Sequence, residues 1–222
     1  MKNERLEKVL KHINSSDCLA EVGCDHGYLA IMAIDKGVSF VELIDNKKGP
    51  LDSAKKNLFD YDNKATIIYS LSSGISDLKK EVDTVAICGM GGELISQILD
   101  ANLDVAKKIK KFILQPNSKQ DFLRKYLNEK HFIINDEEIV IDNDKIYEII
   151  VCNYFEQSCS YNESDILFGP ILRIKKDPLF VKKWNDKLNH NMYILSKIDN
   201  DHVKYSEIKK EVELIKEVLY EG

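Results

Sequence analysis

The spacing of apolar residues changes along the chain and divides it into two parts. Up to about residue 160, short apolar runs rich in β-branched residues alternate with stretches in which apolar residues recur every three or four positions. This alternation predicts strands and helices in turn, with crossover connections that cover both faces of a mainly parallel sheet. The predicted strands are Cys18–Val22, Phe40–Ile44, Ala65–Tyr69, Thr84–Cys88, Phe112–Leu114, Phe132–Val140 and Tyr147–Asn153.

Helical spacing precedes the first strand and fills most of the intervals. Met1–Ile13 carries the apolar spacing of an amphipathic helix. The last two strands are joined around Asp142–Asp144 and predict a hairpin at one edge of the sheet. We therefore expect an α/β fold, with a Rossmann-like, mainly parallel seven-stranded sheet. The other predicted helices are His26–Lys36, Pro50–Phe59, Ile75–Lys80, Gly92–Ala101 and Lys119–Glu129.

Beyond Asn162–Gly169 the strand pattern stops and two heptad-like apolar stripes follow. One stripe runs from Trp184 to Ile198 and the other from Tyr205 to Leu219. The segment between the stripes contains the turn sequence Asp-Asn-Asp. Two such helices are expected to pack antiparallel as an α-helical coiled-coil hairpin. The predicted domains are residues 1–160 and residues 161–222, and the second domain is either a structural cap or a binding element.

The net charge of −5 over 222 residues is unevenly distributed. Residues 1–163 hold 21 Lys and Arg against 27 Asp and Glu, whereas residues 164–198 hold 7 against 3. The whole-chain charge argues against a nucleic-acid partner, but the basic segment suits one. Its cations include Arg173, Lys175, Lys176, Lys182, Lys183 and Lys187.

Features of targeting and of metal or disulfide sites are absent from the sequence. No apolar run reaches the roughly 18 residues of a membrane-spanning helix, and the charged start lacks the apolar core of a secretory signal. The five cysteines are widely spaced, without a Cys-x-x-Cys pair, as is typical of reduced thiols. We therefore expect a cytoplasmic protein with no membrane segment and no metal. The oligomeric state stays open, with a monomer favoured.

The first predicted strand ends in the loop Glu21–Gly27, with the sequence Glu-Val-Gly-Cys-Asp-His-Gly. Glycines at such a turn let a ligand approach the backbone closely. The loop lacks the middle glycine of the dinucleotide fingerprint, and its two acids would repel a pyrophosphate. A cationic group such as an amino-acid ammonium fits better, and a plain turn is the alternative. His26 is a candidate base, although a lone histidine more often has no such role.

Polar or glycine-rich residues also end three further predicted strands. Asp45 follows the glycine loop by about 20 residues, where an acid can accept hydrogen bonds from ribose hydroxyls. The three glycines of Gly89–Gly92 favour a binding or catalytic loop, and the missing Gly-Lys-Ser/Thr sequence excludes a P-loop. Gln115 and Asn117, on either side of Pro116, offer amides to a nucleobase edge.

These motifs continue, in order, over nearly the whole chain. The further ones are Gly49-Pro50, Ser53-Ala54, Asn143–Ile149, Phe168–Pro170 and Lys183-Trp184. Together they resemble the bacterial tRNA (adenine-N1)-methyltransferase family that acts on adenine 22 in the D-arm of tRNA. The order of strands is also that of a class I methyltransferase, although other doubly wound folds begin similarly. The resemblance implies S-adenosylmethionine as methyl donor and a helical hairpin that assists tRNA binding.

Departures from the family pattern are mild. Glu21 stands where the family usually has Asp, Cys24 where it has Ser, and Asp45 where it commonly has Glu. The stretch Leu71–Gly74 replaces a more glycine-rich turn, which makes the contact on the adenine side of the cofactor less defined.

Residue chemistry and the resemblance together give the candidate site residues. The expected cofactor-binding residues are Glu21, Gly23, Cys24, Asp25, Gly27, Asp45, Ser72, Ser73, Gly89, Met90 and Gly91. The expected catalytic residues are Asp25, His26, Gln115 and Asn117. The expected substrate-binding residues are Tyr28, Met90 and Pro116 at the target base, and Arg173, Lys175, Lys176, Lys182 and Lys183 at tRNA phosphates.

The expected reaction needs no dedicated base. Adenine N1 carries a free lone pair at neutral pH, so positioning and electrostatics are expected to carry catalysis. Because N1 lies on the pairing edge, the adenine must first leave its stack. The alternatives are a non-catalytic RNA-binding protein with a methyltransferase shell, a methyltransferase for a small molecule or protein and, least favoured, a nicotinamide-dependent oxidoreductase.

Overall fold

A seven-stranded sheet organises the first part of the chain in the computed structural model, which describes residues 3–157 and 160–221. The strands are β1 Cys18–Val22, β2 Phe40–Asp45, β3 Thr66–Leu71, β4 Thr84–Gly91, β5 Lys111–Ser118, β6 Phe132–Asp142 and β7 Lys145–Tyr154. Their order is β3-β2-β1-β4-β5-β7-β6. Pairs among β1 to β5 are parallel, and β7 runs antiparallel to both β5 and β6. The predicted mainly parallel sheet and its terminal hairpin are confirmed.

Helices cover the sheet, and most of them lie where the apolar spacing predicted them. The first, α1, begins where Asn3 Oδ1 accepts from the Leu6 N–H at 3.0 Å, and it buries Leu6 and Val9. Met1 and Lys2, which we also expected to be helical, lie outside the described residues. The helices of this part are α1 Glu4–Lys11, α2 Tyr28–Asp35, α3 Lys48–Asn57, α4 Gly92–Asp100, α5 Leu103–Ala106 and α6 Gln120–Glu129.

The helix predicted over Ile75–Lys80 is wrong, since the chain forms turns there. Hydroxyls of Ser72 and Ser76 both donate to the Asp77 carboxylate, at 3.0 and 2.8 Å, and the Lys79 N–H donates to Glu42 at 2.9 Å. Such side-chain hydrogen bonds compete with a helix, and six residues are too few to outweigh them.

The terminal hairpin is held to α6 by a buried charge cluster. Arg124, fully buried, donates to Glu137 at 2.8 Å and to Glu148 at 2.6 Å. Nearby carboxylates stabilise the guanidinium against burial and raise its pKa. Because Glu148 is buried on one face of β7, its neighbour Tyr147 is directed to the opposite face.

The chain divides into two compact units, Met1–Ser160 and Tyr161–Gly222. In the second unit the capping box of Asn162 and Asp165 starts the first of four α-helices within the described part, and a π-helix, Glu217–Glu221, follows the last of them. The longest helix buries Phe180, Trp184 and Leu188, and its Asn191 donates to Glu211 of the last α-helix at 2.7 Å. The two long helices therefore contact each other, whereas a true coiled coil remains a prediction. The helices are α7 Glu163–Phe168, α8 Leu172–Lys175, α9 Pro178–Leu195 and α10 Tyr205–Lys216.

Other sequence expectations concern membranes and thiols. Within the described residues, none of the helices combines the length and apolar character needed to cross a bilayer. Cys18, Cys24, Cys88 and Cys152 are free thiols. Cys159 lies outside the described residues.

Candidate active site at the carboxyl ends of the strands

Two cavities open at the carboxyl ends of β1, β2 and β4. One, of about 350 Å³, is lined by residues of the β1, β2, β3 and β4 ends and of α4. The other, of about 530 Å³, is lined by α1, the β1–α2 loop, the ends of β4 and β5, and Tyr147. Gly23 and Met90 line both cavities, so the two spaces meet there. We call them the first cavity and the second cavity.

The backbone of the β1–α2 loop takes conformations that suit glycine. Gly23 and Gly27 have φ angles of 75° and 70°, and Asp25 between them has 46°. A Cβ on Gly23 would lie 2.3 Å from the Met90 methyl carbon, and one on Gly27 would lie 2.7 Å from Leu58. Gly23 therefore lets the loop pass directly beside Met90, whereas Gly27 packs against the α3 side and lines neither cavity.

Glu21 is a buried carboxyl group in the wall of the second cavity. It accepts a hydrogen bond from the Ala30 N–H of α2 at 3.2 Å, but burial outweighs this bond and raises its pKa to about 8. Burial also raises the pKa of the neighbouring Cys24 thiol to about 12, so this thiol is not a nucleophile. A cation bound beside Glu21 would favour the ionised carboxylate.

Asp45 and Glu42 of β2 have separate environments, as strand alternation predicts. Asp45 lines the first cavity, and its Oδ1 accepts from the Lys47 N–H at 2.9 Å. A carboxylate has further acceptor sites for ligand hydroxyls. Glu42 is fully buried and bonded to Ser70 and Lys79, so it acts in the fold. Ser72 and Ser73, in the turn after β3, line another side of the first cavity.

The ends of β4 and β5 interlock beside the second cavity. Met90 pairs with Pro116 and Gly91 with Ser118, so the ladder extends to the last residues of both strands. A Cβ on Gly92 would lie 2.2 Å from the Lys119 carbonyl oxygen, which leaves room only for glycine at the start of α4. This close backbone contact fixes the loop that carries Gly89 and Met90.

Two amides link these loops. Gln115 is fully buried, and its Oε1 accepts from the Gly89 N–H at 3.1 Å while its Nε2 donates to Asn117 Oδ1 at 3.0 Å. Asn117 Nδ2 donates to the Gly89 carbonyl at 2.7 Å. Asn117 is exposed and lines the second cavity.

His26 and Tyr28 lie at the rim of the second cavity. The His26 Nε2 is 3.6 Å from Asp25 Oδ1, and the His26 and Tyr28 rings are 5.6 Å apart. Tyr28 is 55% exposed, so its ring is accessible to a stacking partner. The structure thus brings Asp25, His26, Tyr28 and Asn117 around one space.

Some predicted residues do not face either cavity. Gln115 and Pro116, expected at the target base, are buried and absent from both walls, because β5 remains in the sheet up to Ser118. Gly91 likewise lies in the interlocked strand end. Of the two amides, only Asn117 lines the second cavity.

Sequence reasoning missed several wall residues. Arg5 and Asn3 of the α1 region and Tyr147 of β7 line the second cavity, and Asn46, Gln97 and Ile98 line the first. Tyr147 lies in the Asn143–Ile149 motif, which was a usable signal. Arg5 carried none, since a polar residue on an amphipathic helix is ordinarily solvated.

The predicted phosphate-binding cations all lie in the second unit and are engaged to different degrees. Arg173 pairs with Asp165 at 2.6 Å, Lys182 with Asp186 at 3.4 Å, and the Lys183 ammonium lies 4.8 Å from the centre of the Trp184 ring. Lys175 and Lys182 are exposed and Lys176 is half-buried. Arg173 and Lys176 also line a cavity of about 510 Å³.

A cluster apart from these cavities holds three groups of metal-ligand type. His12, Asp136 and Glu138 each place one such atom within 4.8 Å of the others. Glu138 pairs with Lys8 at 2.8 Å and Asp136 lies 3.8 Å from His12. These contacts join α1 to β6, and we assign no metal to the cluster.

The chemistry of the first cavity fits the nucleoside part of S-adenosylmethionine. Its volume lies within the range of about 300–1,000 Å³ of small-molecule sites. Asp45 offers acceptors for ribose hydroxyls, Leu94 and Ile98 offer apolar surface for a base, and Gly23 gives a close backbone approach. Glu21 and Asp25, on the far side of Gly23, suit a cationic amino-acid end.

Comparison with known proteins gives a consistent result. The family model for tRNA (adenine(22)-N(1))-methyltransferase matches residues 19–217. The tRNA (adenine(22)-N(1))-methyltransferase of Bacillus subtilis (strain 168) is 31% identical over 235 residues, covering 99% of this chain and 98% of that protein.

Two solved structures are similar over their whole length. Streptococcus pneumoniae Sp1610 in complex with S-adenosyl-L-methionine is 32% identical with a TM-score of 0.88, covering 99% of this chain and 100% of that chain. M. capricolum TrmK in complex with S-adenosyl-homocysteine is 28% identical with a TM-score of 0.87, covering 99% and 98%. With its fold, its two cavities and a family model that matches most of its length, the chain belongs to the tRNA (adenine(22)-N(1))-methyltransferase family.

Proposed function

We propose that this chain transfers a methyl group from S-adenosylmethionine to N1 of adenine 22 in tRNA. The observation that carries the proposal is that two cavities of different character share Gly23 and Met90 as walls. A cofactor in the first cavity and a base in the second would approach each other at this shared wall. Such an arrangement is what a direct transfer between two bound molecules needs.

The first cavity and its acidic border bind and orient the cofactor in this proposal. Asp45 accepts hydrogen bonds from the ribose, and the turn containing Ser72 and Ser73 borders the base. Glu21 and Asp25 attract the cationic end. When bound, the cofactor supplies a methyl group made electrophilic by its sulfonium.

The second cavity holds the target adenine after it leaves its stack. Unstacking costs a few kcal/mol, and the exposed Tyr28 ring recovers part of this cost by stacking against the base. Asn117 offers an amide to the edge of the base. Together they place N1 at the shared wall.

No residue has to remove a proton before the transfer, since N1 already carries a lone pair. Asp25, which is 78% exposed in its side chain, adds negative charge where the product becomes cationic. His26, next to Asp25, acts in our proposal as a rim residue that orders Tyr28 through ring contact.

The second unit binds tRNA in this proposal. Its cations Lys175, Lys176, Lys182 and Lys183 contact phosphates, which positions the substrate without reading its sequence. Arg173 shares its charge with Asp165, so its contribution is smaller. We propose that the protein works as a cytoplasmic monomer.

The test is methyl transfer from radiolabelled S-adenosylmethionine to two tRNA transcripts that differ only at position 22. We expect label in the transcript with adenine 22 and none in the transcript with guanine 22. Equal labelling of both transcripts, or none of either, contradicts the proposal. Incorporation into total cellular protein instead of tRNA would favour a protein methyltransferase.

A further inference from the structure

Arg5 of α1 reaches the buried end of the amide pair in the second cavity. Its Nη1 donates to Gln115 Oε1, across 110 residues of sequence. Its guanidinium lies 5.4 Å from the centre of the Tyr147 ring, and a Cβ on Gly89 would be 3.4 Å from Nη1. Arg5 is thus fixed between β7 and the β4 loop.

The donors around Gln115 determine which way both amides point. A guanidinium has only donors, so Gln115 must present its oxygen to Arg5 and to the Gly89 N–H, which uses both lone pairs. The Gln115 nitrogen then donates to Asn117, which must accept through its side-chain oxygen. Asn117 nitrogen is left to donate to the Gly89 carbonyl. A reversed pair would set donor against donor at Arg5.

This order leaves Asn117, which lines the second cavity, with one acceptor lone pair and one N–H outside these bonds. The pairing edge of adenine carries an amino donor beside N1, so the free lone pair of Asn117 can hold that amino group. Guanine has an oxygen in place of the amino group and a proton on N1, and both mismatch. The orientation of the two amide groups therefore helps to determine whether adenine or guanine can bind.

Resting on the proposed function, we propose that Arg5 is a positioning residue that fixes the Gln115–Asn117 amides so that Asn117 accepts a hydrogen bond from the amino group of the target adenine. Gly89 also donates to Gln115, but it lies in the same loop whose carbonyl accepts from Asn117. Arg5 supplies the donor that is anchored outside that loop. In this role Arg5 acts through Gln115 and Asn117.

The experiment compares adenine with purine, which lacks the amino group, at position 22 of a tRNA transcript. It measures kcat/KM on both transcripts for the wild type, Arg5→Met and Arg5→Lys. The lower nucleophilicity of N1 in purine affects every enzyme form alike and cancels in the comparison. Lys8→Met is the matched control, because Lys8 lies on the same helix and pairs with Glu138 instead.

We expect the adenine-to-purine preference to fall roughly tenfold in Arg5→Met, to be largely kept in Arg5→Lys, and to be unchanged in Lys8→Met. Calorimetric affinity for S-adenosylmethionine should be the same in all forms, which shows that Arg5→Met is folded. Equal loss of kcat/KM on both transcripts overturns the inference alone. No transfer by the wild-type protein overturns the proposed function and this inference together.

Discussion

Among single residues, Glu21 has the most distinctive environment of the site. Its folded-state pKa of about 8 lies well above the ordinary 4.5, so the folded protein holds this proton more tightly than the unfolded chain. The contribution of Glu21 to stability is therefore complete below about pH 4.5 and is lost as the pH rises through 8. The free energy of unfolding should fall by up to about 1.4 kcal/mol per pH unit in this window.

Glu21→Gln should remove this dependence, because the amide carries no titrating proton. We expect urea denaturation to show a smaller loss of stability between about pH 5 and pH 8 in the variant than in the wild type. Exposed Glu93→Gln serves as control and should keep the wild-type slope. Parallel pH profiles for all three proteins would refute the role of Glu21 burial.

Asp45 allows a prediction about the cofactor itself. Asp45→Ala removes the carboxylate that we assign to the ribose, and loss of a charged hydrogen bond should weaken S-adenosylmethionine binding roughly ten- to hundredfold in calorimetry. Asp35→Ala, a surface carboxylate that pairs with Lys64 at 3.2 Å, should bind normally. Unchanged affinity in Asp45→Ala would remove Asp45 from the site.

At the scale of elements, apolar spacing was sufficient for the strands but not for all connections. The seven strands lie where β-branched runs predicted them, because burial in a sheet demands such residues. The helix prediction for residues 75–80 failed because Asp77 accepts hydrogen bonds from two serine hydroxyls and Glu42 accepts one from the Lys79 N–H. The spacing of apolar residues does not reveal these bonds. The bonds of Ser72 and Ser76 to Asp77 are local in sequence, whereas the bond from the Lys79 N–H to Glu42 joins residues 37 positions apart and needs the three-dimensional structure.

The candidate site, too, could be predicted only in part from the sequence. Glycines and acids at strand ends indicated Gly23, Asp45 and Met90, because parallel strands end at one edge. The burial of Pro116 and the reach of Arg5 were not predictable, since the first follows from the length of β5 and the second from the docking of α1. Long-range placement of that kind leaves no local sequence signal.

The contact of Gly92 with β5 makes an element-scale prediction. Gly92→Ala places a Cβ 2.2 Å from the Lys119 carbonyl oxygen. The nearest atoms to this Cβ all belong to the backbone, which cannot move aside as easily as a flexible side chain. We expect a loss of about 1–3 kcal/mol in stability by urea denaturation, with lower methyl transfer. In the control Gly49→Ala, the new Cβ has no neighbour within 4 Å and stability should not fall. Equal stability of the two variants would contradict the close backbone contact between Gly92 and Lys119.

For the whole molecule, the distribution of charge carries more information than its sum. A net charge of −5 argues against an RNA partner, yet the second unit contains a basic segment of 7 cations against 3 acids within residues 164–198. The acidic first unit suits a cationic cofactor and a cationic product. The two kinds of charge therefore belong to two tasks in our proposal.

This assignment predicts a selective effect of charge reversal. Lys182→Glu with Lys183→Glu should weaken tRNA binding at least about tenfold and reduce its salt dependence by about one unit of slope for each lost phosphate contact. S-adenosylmethionine affinity should stay the same. Lys209→Glu with Lys216→Glu on α10 makes the same charge change in an acidic segment. If both pairs weaken tRNA binding equally, the basic segment has no special role.

The most direct measurement for the central claim is mass-spectrometric mapping of 1-methyladenosine in tRNA from cells with and without this protein. We predict that the modification is present at position 22 when the protein is present, disappears when its gene is deleted, and returns with the wild-type protein but not with Asp45→Ala. Persistence of 1-methyladenosine at position 22 in the deletion strain would contradict the claim.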